Sequence, residues 1–433
     1  MSQNLTDTFL KGLMQKSTAI PTLVMEQAKK CLYDYMGVVV GGAKYLQEQH
    51  PDFFRSLVND SGDSTVFGTN YKTTASNAAW LNGFSAHVLE LDDGHRFGMI
   101  HLGASIISAV LAIAEKEKLD QTSVLRGIVM GYETAIRCAC AVQPSHKMKG
   151  YHVSGTCGTI GSALGIGFAR NYSVEQLKST LSCAVTSAAG VLEIQEDASE
   201  LKPYNLGRAA MDGVAAATMG ILALPGPDDM MGGKRGFLGL MTVTPNKEYL
   251  TDFSSSGFEI EKIYQKVYAA CRHCHPAIEA TIAIRNQINL RPEQVQKIII
   301  HTYKLAVGGH NHKEVKGMSS AKLSTPFSVA LAIVKGNASY SDFNKESLQD
   351  TQILSLAKKV DVLEDDLLTS LSPAKRAALV TIYTEKGVFV HQVDYPKGEP
   401  ENPISFSEIQ LKSSLLMQGS QWNIENMLLH ISK

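Results

Sequence analysis

The segment from Gly103 to Lys118, GASIISAVLAIAEKEK, constrains the fold more than any other part of the chain. It is apolar nearly all round until Glu115. A helix without a polar face is stable only when other elements surround it. It is too short to be a membrane span, because the uncharged run from Ala104 to Ala114 falls well below the ~20 residues a bilayer requires. The expectation is therefore a helix in the middle of a bundle.

The sequence supplies the surrounding helices. Thr22 to Tyr35 is amphipathic, Ala75 to Leu91 is periodic, and Gln121 to Val142, Gly158 to Arg170 and Val174 to Gly190 continue the pattern. Ala, Gly, Ser and Cys are abundant in them, and small residues let helix axes approach closely. The Pro225-Gly226-Pro227-Asp228-Asp229 breaker and the glycines at 232 and 233 then change the character of the chain. Val295 to Ala306 reads as a strand, and Leu379 to Thr384 with Val388 to Val393 reads as a hairpin around Glu385-Lys386-Gly387. Ser328 to Lys335 and Lys345 to Val360 read as helices, as do Ser405 to Gln418 and Asn423 to Ser432. The fold class expected is mainly α. A large all-helical domain is built from both chain ends, 1–254 and 398–433, beside a smaller α+β lid domain, 255–397.

Composition narrows the function. Lys+Arg number 41 against 42 Asp+Glu, a net charge of −1, so the basic excess that drives phosphate binding is absent. No nucleic-acid or membrane partner is expected. Hydrophobic residues make up 44%, too many for a disordered chain of low net charge. Seven cysteines scattered through 433 residues do not form a dense disulfide framework. With no basic-then-apolar leader in MSQNLTDTFLKGLMQ, a cytoplasmic location is expected.

Four clusters could carry chemistry. The first is Glu90, Asp92, Asp93 and His95 followed by His101, charged groups placed just before the apolar helix. Such groups are expensive beside a buried element unless they are paired or used; alternatively they form a solvated helix end. The second is Tyr151-His152 leading through Gly155-Thr156-Cys157-Gly158 into a helix; its glycines suit close packing, and His152 sits at the junction. The third is Lys202 before Pro203, where a solvated lysine is the ordinary expectation. The fourth, Lys266 to Pro276, contains Cys271, Cys274 and His275 in C-x-x-C-H spacing. Without an export signal or a second C-x-x-C it is read as neither a haem nor a zinc motif, and its cysteines as small packing residues.

Taken in order, these segments resemble the MmgE/PrpD family of small-carboxylate dehydratases, decarboxylases and epimerases. The family's acidic residue, D-D-T and H-P-G-A are similar to Glu90, Asp92-Asp93-Gly94 and His101-Leu102-Gly103-Ala104. G-x-H with G-T-x-G is similar to Gly150-Tyr151-His152 with Gly155-Thr156-Cys157-Gly158-Thr159. K-P-L-x-x-G-x-A-A is similar to the segment Lys202 to Ala210, and K-x-Y-P-x-C-x-x-x-H-P to Lys266, Tyr268, Cys271 and His275-Pro276. Ala321 to Phe327 resembles A-x-F-S-x-P-Y. Gly94 and Leu102 stand where the family has threonine and proline.

The resemblance implies a homodimer with a cleft between its domains and no metal or organic cofactor. It implies His101, His152, Lys202 and Lys266 as acid/base and carboxylate-binding groups, with Glu90, Asp92, Asp93 and His275 supporting them. The substrate expected is a small di- or tricarboxylate losing a proton next to a carboxylate. Whether water, carbon dioxide or only the proton then departs is left open, so a lyase and an epimerase both fit. A non-catalytic carboxylate-binding protein is the rival from another class.

Overall fold

A computed structural model describes residues 4–58, 60–196 and 198–425. Helices dominate it. Along the first half run α1 (Leu5–Ser17), α2 (Thr22–Gln49), α3 (Ala75–Val88), α4 (Gly103–Glu117), α5 (Gln121–Val142), α6 (Val153–Ala169), α7 (Val174–Ser187) and α8 (Lys202–Gly220). Helix α4 occupies the position its sequence requires: every residue from Gly103 to Ala114 is buried. Helix α6 is buried along its entire length, Val153 to Ala169. Glycine makes that possible. A Cβ on Gly161 would come within 2.6 Å of the Ala135 Cβ and 2.8 Å of the Gly131 carbonyl, and one on Gly165 within 2.9 Å of the Gly127 carbonyl. Helices α5 and α6 therefore pack backbone against backbone.

The second half carries a four-stranded sheet. Strands β1 (Ser64–Thr65) and β2 (Lys72–Thr73) form only a short ladder beside α4. Strands β3 (Val295–Thr302), β4 (Val360–Glu364), β5 (Ala378–Thr384) and β6 (Gly387–Val393) align in the order β4-β3-β5-β6. The pair β3–β4 is parallel and the others antiparallel, with Ile298 opposite both Val360 and Ile382. Along β5 alternate residues are buried, so one face of the sheet supplies the core. Helices α9 (His275–Ile288) and α10 (Thr325–Lys335) join the same apolar cluster. That cluster also includes Val38, Leu89 and Leu416, which tie it to the helical layer. Helix α11 (Phe406–Met417) lies on α2, where Ser413 Oγ donates to the Tyr33 carbonyl and Lys412 pairs with Asp34 at 2.7 Å.

Several elements differ from the expectation. Helix α2 continues well past Tyr35, to Gln49. Strand β3 stops at Thr302, and Lys304–Val307 turns into a single helical turn. The segment expected as one helix from Lys345 to Val360 is two short helices, Lys345–Gln349 and Thr351–Ala357, followed by β4. Asp350 divides them: its carboxylate accepts from the Gln352 and Ile353 N–H groups and so caps a new helix. Helix α6 begins at Val153 rather than Gly158. The helix expected over Asn423 to Ser432 lies outside the described residues beyond Glu425.

Candidate active site

Helix α3 ends at Val88, and the chain reverses through Glu90, whose φ of 55° lies in the left-handed region. A non-glycine residue there is strained unless its surroundings hold it. Two lysines hold Glu90. Lys202, the first residue of α8, pairs with one carboxylate oxygen, while Lys266 Nζ lies 3.1 Å from the other and donates to the Glu90 carbonyl at 3.0 Å. All three side chains are nearly shut off from water. Burial opposes ionisation of Glu90, but the charges of Lys202 and Lys266 outweigh it and hold the carboxyl well below its usual range.

Asp92 and Asp93 have opposite environments. Asp92 sits between two imidazoles, 2.8 Å from His87 Nδ1 and 3.3 Å from His101 Nδ1; burial resists its charge, but these rings outweigh burial and keep it ionised. Asp93 accepts from the Tyr132 hydroxyl at 2.6 Å and the Gly103 N–H at 2.8 Å. Burial, with Asp92 nearby, still pushes it up to about 7.

The two catalytic candidates among the histidines have complementary tautomers. His101 Nδ1 lies 3.0 Å from the Asp93 carbonyl, which can only accept, so Nδ1 carries the proton and Nε2 is left as a base. His152 Nδ1 receives a hydrogen bond from Asn205 Nδ2 at 2.9 Å. That amide also donates to the Val191 carbonyl, which fixes its orientation. The neutral His152 ring therefore carries its proton on Nε2. Burial and the neighbouring Lys202 depress His152 well below its ordinary value, so it stays neutral near pH 7. Burial also lowers His101, against the pull of Asp92.

His101, His152 and Lys202 line one cavity of about 100 Å³. Lys266 and His275 are not on its wall. Lys266 is fully enclosed behind Glu90. His275 is buried, accepts from Arg272 at 2.9 Å and positions that guanidinium. A second cavity, of about 230 Å³, shares Lys202 and has Glu90 and Lys322 on its wall; burial lowers Lys322 to about 8.

The sequence did not single out Lys147, Tyr264, His310 or Arg376, yet all four line the first cavity. Among the described residues Lys147 Nζ and Arg376 have no carboxylate partner; Arg376 donates to the Arg96 carbonyl at 2.7 Å. Two unpaired cations facing a cavity form an anion-binding wall. No local pattern surrounds either residue, so only folding brings them together. Tyr264 explains Gly94: a Cβ at Gly94 would collide with the Tyr264 hydroxyl, which fills the space a threonine side chain would need. Cys271 packs against the apolar cluster that contains Cys274, as expected of a small hydrophobe, and it also lines the cavity, with Sγ 3.9 Å from His310 Nε2.

Two groups bring potential metal-ligand atoms within 4.8 Å of one another, His87/Asp92/His101 and Cys271/His273/His310. In the first, Asp92 is already bound by both rings, with Lys266 3.9 Å away. In the second, Lys147 and Arg376 line the same cavity and oppose a divalent cation. Neither donor set is read as a metal site. Among the described residues no helix is long and apolar enough to cross a membrane.

Comparison with known proteins places both halves of the chain. The MmgE/PrpD N-terminal domain matches residues 14–250 and the MmgE/PrpD C-terminal domain matches residues 268–423. A cis-aconitate decarboxylase-like protein of Aspergillus oryzae is 24% identical over 96% of this chain and 92% of its own length. Human cis-aconitate decarboxylase is 21% identical over 95% of this chain and 87% of its own, and the mouse enzyme 21% over 90% and 81%.

Proposed function

The chain belongs to the MmgE/PrpD family, and from that premise we propose that it is a lyase of the dehydratase or decarboxylase type acting on a small di- or tricarboxylate. The observation that carries this reading is the cavity wall itself. His101 and His152 meet there in opposite tautomers beside two unpaired cations.

The chemistry follows from the geometry. A carbon next to a carboxylate is a weak acid, so the enzyme must stabilise the charge that develops as the proton leaves. Arg376 and Lys147 would receive substrate carboxylates, and two such cations suit a substrate with more than one. His101 Nε2 would take the proton, while Nε2–H of His152 donates to the developing enolate oxygen. Lys202 is pinned to Glu90 and would hold the local field positive. Lys266 and Asp92 keep the Glu90 turn and His101 in place from behind. Relatives named cis-aconitate decarboxylase favour loss of carbon dioxide over loss of water. In that case His101 would act as the acid, because the electron pair of the broken C–C bond stays with the substrate as carbon dioxide leaves, and the carbon that receives it takes a proton that His101 has drawn from solvent. A homodimer belongs to the same proposal, and a sedimentation measurement of mass tests it.

Incubating the purified protein with cis-aconitate, 2-methylcitrate and a panel of other small dicarboxylates, followed by proton NMR, tests the reading. An alkene product from at least one of them is expected. Only inverted stereochemistry would replace the lyase with an epimerase, and binding without conversion would leave a carboxylate-binding protein.

A further inference from the structure

Cys271 differs from the other cysteines in what surrounds its sulfur. It lies where the chain enters the turn Arg272–Cys274 ahead of α9, and its N–H donates to the Lys322 carbonyl at 2.8 Å. Its Sγ faces His310 Nε2 at 3.9 Å. On the far side of that ring, Nδ1 lies 2.8 Å from the Leu323 carbonyl. The carbonyl can only accept, so Nδ1 carries the proton and the Nε2 lone pair is directed at the thiol. A nucleophile, a base and a group orienting the base are therefore in line.

Cys274, three residues on, makes the contrast. It is buried against the Leu323 carbonyl and the Thr325 hydroxyl, and burial pushes its thiol up. Burial alone would do the same to Cys271, but His310, its hydrogen bond and Lys202 outweigh burial and Glu90 and draw the thiol down; the thiol in turn holds His310 up. Lys147 and Arg376 add positive charge on the same cavity wall, and Lys266 acts from behind it.

We propose that Cys271 and His310 form an activated thiol on the cavity wall, a covalent modification site for electrophiles that carry a carboxylate. The cationic wall concentrates such anions, and the thiol meets them as a thiolate. With an α-halo acid the sulfur bonds to the carbon bearing the halogen, the carbon–halogen bond breaks, and halide leaves with the electron pair. The thiol proton stays on His310. With a conjugated unsaturated acid the sulfur bonds to the β-carbon, and the π pair moves to the α-carbon, which takes its proton from His310. Neither step needs an oxidant or a metal, and neither depends on the lyase reading, because the thiol reacts whether or not a substrate turns over.

The test is alkylation of the whole protein by iodoacetate and iodoacetamide between pH 5 and 9, with peptide mapping of all seven cysteines. Cys271 should be modified first at pH 7, at least ~10-fold faster than a free thiol of ordinary pKa. Iodoacetate should outpace iodoacetamide, and Arg376→Gln should reverse that preference. His310→Gln should move the midpoint of the pH profile up toward the ~8.5 of an ordinary thiol. Cys183 labelling before Cys271, or a Cys271 rate equal to that of free cysteine, would overturn the proposal. The wild-type pH profile decides the matter by itself if the His310 variant does not fold.

Discussion

Glu90 shares its carboxylate with two ammonium groups, and all three side chains are nearly shut off from water, so the site's charge balance turns on this one residue. Removing one partner of a buried pair leaves an uncompensated charge, at a cost of ~3–5 kcal/mol. Glu90→Gln is therefore expected to lower stability by that amount in urea denaturation, and an unchanged midpoint would show that Lys202 and Lys266 find other partners. Lys202→Ala should reduce turnover at least ~100-fold, the scale of a positioned acid–base or electrostatic group. Gly94 and Tyr264 form a second coupled pair. Gly94→Ala is expected to cost ~1–3 kcal/mol by overpacking, and the cost should shrink when Tyr264→Ala accompanies it. Additive effects in that cycle would mean the phenol does not occupy the threonine's space. Of these residues, Glu90, His101, His152, Lys202 and Lys266 stood in recognisable segments. Lys147 and Arg376 did not, because an unpaired cation becomes visible only once the fold shows what does not face it.

Local sequence rules account for the helices better than for the short elements. Helix α4 was legible because a residue run without a polar side has one stable place. Helix α6 was legible in part: its glycines pointed to close packing, but its first turn was hidden in the polar-looking His152-Val153-Ser154 junction. Strand β4 was missed because VDVLE is brief and follows a helical stretch, and its identity comes from pairing with β3 rather than from propensity. The glycine contact between α5 and α6 makes its own prediction. Gly165→Leu should destabilise the chain by more than 2 kcal/mol, on the scale of an overpacked core, because backbone cannot yield as a side chain does. A thermal midpoint within a degree of wild type would contradict the close crossing.

For the molecule as a whole, pH provides the test of the buried site. His101, His152, His273 and His275 are all depressed, first by burial. Below the ordinary imidazole value of ~6.5 the unfolded chain takes up protons that the folded rings refuse, so stability falls as pH falls. Asp93 acts in the opposite sense, since its raised carboxyl binds a proton in the fold as pH drops below about 7. Glu90 and Asp92, held low, add a further loss only below the ordinary carboxylate range. His95 and His146 are depressed by burial as well, while His310 and Asp34 are raised and side with Asp93. The six depressed imidazoles outweigh these three raised groups, so the thermal midpoint should drop from pH 7 to pH 5, and His152→Asn should flatten the drop. A midpoint that rises on acidification would contradict the neutral buried histidines. The overall charge of −1 hides this local arrangement, in which lysine and arginine surround a small cavity. The central claim is that this cavity moves a proton at carbon, and solvent isotope incorporation tests it most directly. In D₂O, the acid that the protein converts should gain deuterium at the carbon next to a carboxylate, or its product should, and His101→Asn should abolish the incorporation while ligand binding persists. Loss of carbon dioxide with no deuterium on carbon, or incorporation undiminished in the His101 variant, would contradict the account.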